Sequence, residues 1–382
     1  MGEEEEAWLA AGGPARDVRT VEGRDVRFGP AIEFHVKEGD ALSVLPAGAF
    51  SVWSLQALAA ACKSDDAAKS KGVPLTVVVR RSSASPTDPV DINALQCRAT
   101  PGTLVQVASN FNCLEGAHDR VNYRSGHFVT HLMVDKTQAP AAASACAVAA
   151  IVRTHCCFVQ ETEHGAADVS GQHRDGRQVE LLGHDALMPY FPVRNGKLFT
   201  DTAAVKADAR LRSPLPPAAH VRHVRIGLHC DAVAQFRRRG DGADMTCDFV
   251  SAAEAPRVDQ VFVAAMDMSA QGVRLLDRAV AQERMTFLLH AAYGGTYAAA
   301  CLRRSRTVIL TLVGGGVFRN PWAAIGCAIG DAHVAWTGRC PHLQRVVLPL
   351  YPAMDAPGVR RDLEAFVAAV RARGVPVNIE IV

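Results

Sequence analysis

The sequence predicts an α/β layered fold, on three observations. Apolar runs at 75–79 and 307–313 are continuous and rich in β-branched residues, as strands covered on both faces are. Stretches with apolar residues at three- and four-residue steps alternate with such runs. Loops carrying Gly, Pro and Asn separate the two kinds of segment, which is the order of a layered α/β chain. No repeat appears at any fixed period.

Residues 1–25 are acidic and then rich in Gly and Arg, and read as a mobile extension; residues 26–382 read as a single domain. Regular structure is expected from 31–36, where apolar and polar residues alternate as in a half-buried strand. Leu55, Leu58 and Cys62 mark an amphipathic helix over 51–62, with Ser51 as its N-cap. Strands follow at 75–79 and 104–108, the second ending in the polar cluster Ser109-Asn110-Phe111-Asn112. After a polar stretch, Asp135-Lys136-Thr137-Gln138-Ala139-Pro140 opens an Ala-rich helix over 141–154. Pro140 suits a first turn, where its missing N–H loses nothing. Residues 160–218 are poor in pattern, and Pro214, Pro216 and Pro217 break them, so they read as an excursion without its own core.

Strands are then expected at 224–229 and 260–265, with a long helix over 275–303 in which Gly294 and Gly295 allow close packing. The strand 307–313 feeds the loop 314–320 and a helix over 321–331. A strand at 346–350, a helix over 358–373 and a strand over 375–382 close the chain.

Composition narrows the functional classes. The 382 residues are 49% hydrophobic and 21% charged, enough apolar content for a sizeable core. A net charge of +2 gives no reason to expect a nucleic-acid or membrane-surface partner. Arg237, Arg238 and Arg239, followed by Gly240-Asp241-Gly242, read as a solvated hairpin tip. The acidic opening lacks the basic start of a signal peptide, Glu6 stands where a myristoylation signal has Ser or Thr, and no apolar run spans a bilayer. Eleven cysteines without paired spacing and without Cys-x-x-Cys predict reduced thiols, no disulfide and a cytoplasmic setting. Fourteen histidines include no His-Glu-x-x-His, and His220, His223 and His229 do not share a strand face, so no metal site and no cofactor is expected.

Chemistry concentrates in three loops. Gly314, Gly315 and Gly316 follow a buried strand and precede a helix starting at Pro321. Glycines let backbone N–H groups approach a ligand, and a helix N-terminus adds unpaired N–H groups and the positive end of its dipole. The arrangement suits phosphate, although it is neither a P-loop nor a Gly-x-Gly-x-x-Gly fingerprint; a tight turn that needs glycine is the plainer alternative. Thr137 and Gln138 open a second helix with donors, beside the small Ala139. Asn110 and Asn112 stand just past a strand, where open α/β sheets hold their ligands, and their amides offer both donor and acceptor.

Taken in order, these loops resemble those of the macrodomain family, the ADP-ribose-binding α/β/α fold. That family carries an Asn-bearing loop after an early strand, then a Gly-rich loop opening a helix, then a late strand running into Gly-x-Phe before another helix. The corresponding segments are Ser109-Asn110-Phe111-Asn112, Asp135-Lys136-Thr137-Gln138-Ala139-Pro140 and Gly314-Gly315-Gly316-Val317-Phe318-Arg319-Asn320-Pro321. The wording is similar to that of a divergent branch of the family. Ala139 replaces a glycine run of the second loop, and tens of residues are inserted between the motifs.

The resemblance implies a three-layer α/β/α domain with a mixed, largely parallel central sheet. It implies a nucleotide ligand, ADP-ribose or a relative, presented free or on an ADP-ribosylated protein. Asn110 and Asn112 would meet the distal ribose. Thr137, Gln138 and Ala139 would meet the pyrophosphate from one side, and Gly314, Gly315, Gly316, Val317 and Phe318 from the other, with Asn320 completing the motif. Gly315 is the expected point of closest approach to phosphate. An enzyme of this kind would hydrolyse an ADP-ribosyl bond, with Asp135 as general base. Two alternatives stay open: a non-catalytic binding module, and a phosphate-binding hydrolase using Cys113 as nucleophile with His118 or His131.

Overall fold

The computed structural model describes residues 32–38, 41–62, 72–115, 137–156, 172, 178–198, 207–239, 246–269 and 276–382. Strands β1 (Ile32–Glu38) and β2 (Ala41–Ser54) form a hairpin, and α1 (Leu55–Ala61), β3 (Leu75–Val79), α2 (Ile92–Gln96) and β4 (Thr103–Ala108) follow. Next come α3 (Gln138–Ala145), α4 (Ala147–Ile151), the small hairpin β5 (Val193–Arg194) and β6 (Lys197–Leu198), and β7 (Arg225–Val233). The hairpin β8 (Phe236–Arg239) and β9 (Thr246–Phe249) leads to β10 (Arg257–Val263). The chain ends through α5 (Arg278–Leu302), β11 (Thr307–Ile309), α6 (Trp322–Thr337), β12 (Arg345–Leu350), α7 (Val359–Arg371) and β13 (Val377–Ile381).

Nine of these strands form one sheet in the order β1-β2-β7-β10-β4-β11-β12-β3-β13. Every pairing from β10 to β13 is parallel, while β1, β2 and β7 run antiparallel to their neighbours. The two-residue period of a strand sends alternate residues into two cores. Leu104, Val261, Val308, Leu310, Val346 and Leu348 enter one, packed under α1, α5, α6 and α7. Val105, Val107, Phe262 and Ile309 enter the other, under α3 and α4. The domain is therefore a three-layer α/β/α sandwich on a mixed, largely parallel sheet. Parts of the excursion belong to its second core, through Val179, Leu181, Leu182, Leu187 and Phe191.

Several expectations need correction. The segment 51–54 continues β2, and Ser54 rather than Ser51 caps α1 by accepting the Ala57 N–H. Pairing with β7 holds 49–54 extended, which overrides the helical spacing. Pro321 is the N-cap of α6, and that helix runs on to Thr337. Arg237, Arg238 and Arg239 form β8 rather than a solvated tip, and they pair with Asp88, Asp91 and Asp248 respectively. Cys301 and Cys340 are joined as a disulfide, against the expectation of none bridged; packing of α5 on α6 sets their Cα atoms 4.9 Å apart across 39 residues of sequence. Linear spacing does not carry that juxtaposition. No described helix is long and apolar enough to cross a membrane. The extension 1–25 lies outside the described residues.

The fold also buries two histidines in fixed tautomers, His229 on β7 and His333 on α6. His229 Nε2 donates to the Ala47 carbonyl at 2.7 Å, while its Nδ1 faces the Arg153 guanidinium, which can only donate, at 3.4 Å. Burial, and then the Arg153 charge, push the His229 pKa from 6.5 down to about 3. Burial also lowers His333, which lies between Tyr297 and the Val73 carbonyl. Below pH 6.5 the unfolded chain takes up protons that the native histidines refuse, so their stabilisation is present above 6.5, and that of His229 is lost as pH falls towards 3. His229 contributes a loss of about 1.4 kcal/mol per pH unit within its window. Glu180, lifted by burial to about 7, works in the opposite sense between 7 and 4.5. Relative to His229→Gln, the wild-type urea midpoint is expected to fall as pH is lowered from 6.5 to 5, the window in which only the variant lacks the buried neutral imidazole. An unchanged slope in the variant would show that His229 does not govern acid stability.

Candidate functional site

Beyond Ile309, β11 parts from β4, which is why this strand is shorter than the apolar run 307–313. Side chains take over the ladder positions it leaves. The Thr311 N–H donates to Gln106 Oε1 at 3.0 Å, and the Val313 N–H donates to the Tyr293 hydroxyl at 3.0 Å. On β4, Gln138 Nε2 donates to the Gln106 carbonyl at 2.7 Å and Gln138 Oε1 accepts the Ala108 N–H at 2.9 Å. This parting opens a cleft at the C-terminal ends of the parallel strands, the usual ligand position in an open α/β sheet.

The cleft has a volume of about 640 Å³, within the range of small-molecule pockets. All three predicted loops reach it, contributing Ser109 and Asn110, Thr137 to Pro140, and Gly314 to Phe318. Val90, Ile92, Leu312, Trp322, Pro349, Tyr351 and Pro352 supply apolar wall.

Backbone geometry makes the third loop distinctive. Gly314 has φ +70°, and any Cβ there would overlap the Asn320 amide, so glycine is required twice over. The Asn320 N–H donates to the Gly314 carbonyl at 2.9 Å and Asn320 Nδ2 to the Met266 carbonyl at 3.1 Å. The Gly315 N–H turns back to the Leu312 carbonyl at 2.9 Å, and its own carbonyl accepts Trp322 Nε1 at 3.2 Å. The N–H groups of Gly316, Val317 and Phe318 make no hydrogen bond among the described residues. Successive N–H groups left in this way form a concavity for anions. Beside them α6 begins at Trp322 without a side-chain cap, and α3 begins at Gln138 behind Thr137, also without one. Two positive dipole ends thus stand at one cleft.

The predicted residues fall into distinct positions. Asn110, Thr137, Gln138, Ala139, Gly314, Gly315, Gly316, Val317 and Phe318 line the cleft. The Gln138 amide is occupied by β4, which leaves its backbone for a ligand. Asn112 is buried and turned away: it donates to Gln178 Oε1 at 3.0 Å and accepts the Leu114 N–H at 3.2 Å. The tight turn 110–114, with Cys113 at φ 61°, sends Asn112 to the opposite side from Asn110. Asn320 lies beneath the glycine loop and shapes it from below. Cys113 is buried against Gly227, outside the cleft lining, which removes it as a nucleophile there. Asp135, His118 and His131 lie outside the described residues.

Glu115 and Tyr351 are among the lining residues that escaped sequence reasoning. Glu115 is a residue only 5% exposed in the cleft wall, and Tyr351, 41% exposed, stands just past β12. Glu115 follows Asn110 by five positions, but nothing in its neighbours marks it as buried. The other lining carboxylate, Asp91, caps α2 by accepting the Asn93 and Ala94 N–H groups and pairs with Arg238 at 3.8 Å.

No family model matches the chain, and no curated protein matches it in sequence. Among solved structures it is similar to a poly(ADP-ribose) glycohydrolase from Thermomonospora curvata, at 15% identity and TM-score 0.44, over 85% of each chain. It is also similar to a poly(ADP-ribose) glycohydrolase from Deinococcus radiodurans in complex with ADP-ribose, at 11% identity and TM-score 0.42. That match covers 84% of this chain and 94% of the other.

Proposed function

We propose that this cleft binds ADP-ribose or a close nucleotide-diphosphate relative, and that the chain hydrolyses an ADP-ribosyl bond there. The convergence of the Gly316–Val317–Phe318 N–H groups with the N-termini of α3 and α6 carries this reading. Neutral N–H dipoles aimed at one space favour an anion, and their arrival from two sides suits two linked phosphates. Tyr351 offers a flat face for a base at one end, and Asn110 an amide for ribose hydroxyls at the other. The motif resemblance to the macrodomain family points to the same ligand.

For hydrolysis, the dry position of Glu115 suits a general acid or base acting beside the bound ribose. Asp135 stays a second proposed carboxylate. Holding the pyrophosphate fixes the ribose, and a water placed against its anomeric carbon completes the reaction.

Calorimetry with ADP-ribose, AMP, NAD and inorganic phosphate tests the binding reading. ADP-ribose is expected to bind with a Kd on the order of micromolar, about −8 kcal/mol, and phosphate far more weakly. Equal affinity for AMP and ADP-ribose would remove the pyrophosphate from the argument, and no binding by any of them would remove the site.

A further inference from the structure

Behind the aromatic wall of the cleft stands a buried cation. Arg80, the residue after β3, is 7% exposed, and no carboxylate lies within ion-pair distance of it among the described residues. Its guanidinium is held by carbonyls: Nε donates to Ser85 at 3.1 Å, and Nη2 donates to Ser83 at 2.6 Å and to Ser85 at 2.7 Å. Its Cζ lies 5.8 Å from the centre of the Tyr351 ring, and Nη1 reaches the Tyr351 carbonyl at 3.5 Å. The Arg80 carbonyl accepts the Met354 N–H at 2.9 Å. A second stitch joins the same two loops, because Asp355 accepts both the Ser83 N–H and the Ser83 hydroxyl, at 2.9 and 2.8 Å.

A buried guanidinium that donates only to carbonyls, with the Asp355 carboxylate near but not bonded to it, is an expensive way to tie two loops, since neutral donors would serve the same carbonyls. What arginine adds is a planar cation beside an aromatic ring. Resting on the binding reading above, we infer that Arg80 is a positioning residue, which sets the Tyr351 ring against the base of the bound nucleotide. The clamp acts on the base end of the ligand and leaves the pyrophosphate end to the glycine loop.

A double-mutant cycle with two ligands tests this. Arg80→Gln is expected to weaken ADP-ribose binding roughly threefold to tenfold, the size of an aromatic or cation–π contact. Inorganic pyrophosphate, which has no base, should bind Arg80→Gln as it binds the wild type. Tyr351→Ala should lose a similar factor, and Arg80→Gln should add nothing in the Tyr351→Ala background. Asp355→Asn, at an exposed position, loosens the same stitch without disturbing the core, and should weaken ADP-ribose binding about twofold to threefold with pyrophosphate unchanged. Equal losses for both ligands, or a full Arg80→Gln loss in the Tyr351→Ala background, would overturn the positioning role. Should Arg80→Gln fail to fold, unaltered ADP-ribose affinity in both Asp355→Asn and Tyr351→Ala overturns it instead. Wild-type protein that binds no ADP-ribose brings down the binding reading and this inference together, whereas wild-type binding with an indifferent Tyr351→Ala brings down only the inference.

Discussion

Gly316→Asp is expected to lower the affinity for ADP-ribose by about a hundredfold or more while the protein still unfolds cooperatively at nearly the wild-type midpoint. A Cβ at Gly316 meets nothing within 4 Å, and the position is not one of the positive-φ glycines, so the side chain enters open cleft without strain. The carboxylate then stands beside the N–H groups of Val317 and Phe318, where the phosphates are proposed to lie. It satisfies those donors internally and repels the ligand. Removing two donor contacts to a charged group, at about 1.5–3 kcal/mol each, already amounts to a hundredfold or more. Gly315, the position the sequence singles out, is the wrong place for this test. A Cβ there would meet Leu312 at 2.5 Å and Ile325 at 3.1 Å, so Gly315→Asp would act on packing. Gly316→Asp protein that binds ADP-ribose normally would place the ligand elsewhere.

Glu115→Gln is expected to lower ADP-ribosyl hydrolysis by roughly a hundredfold to ten-thousandfold, the span of general acid–base catalysis, with ADP-ribose affinity changed by less than about threefold. The amide keeps the shape of the carboxylate and its place in the wall, but it can neither take nor give the proton. The split between turnover and affinity is the informative part. A structural role would move both together, or would lower the unfolding midpoint. Asp135→Asn, assayed beside it, separates the two proposed carboxylates: the residue that handles the proton loses turnover at constant affinity. Full activity in Glu115→Gln would end the assignment.

What the chain displays along its length is what depends on neighbours a few residues away. The alternation of apolar runs and helical stretches reflects the two periods of backbone structure, so the α/β class, the helix Arg278–Leu302 and the closing strand–helix–strand were all legible. The glycine loop was legible too, because Gly314 adopts φ +70°, which other residues rarely do. Tertiary structure decided everything that depends on direction and on distant partners. Asn110 and Asn112 are two positions apart, yet one lines the cleft and the other is tied to Gln178, because the turn between them reverses the chain. Gln138 offers a ligand only its backbone, because the parting of β4 and β11 leaves ladder groups that its side chain satisfies. Glu115 and Tyr351 become wall residues only when the ends of β4 and β12 come to one rim, and Cys301 meets Cys340 only when α5 packs on α6. Periodicity records which face of an element is apolar; it holds no record of which remote residue that face, or the loop beyond it, will meet.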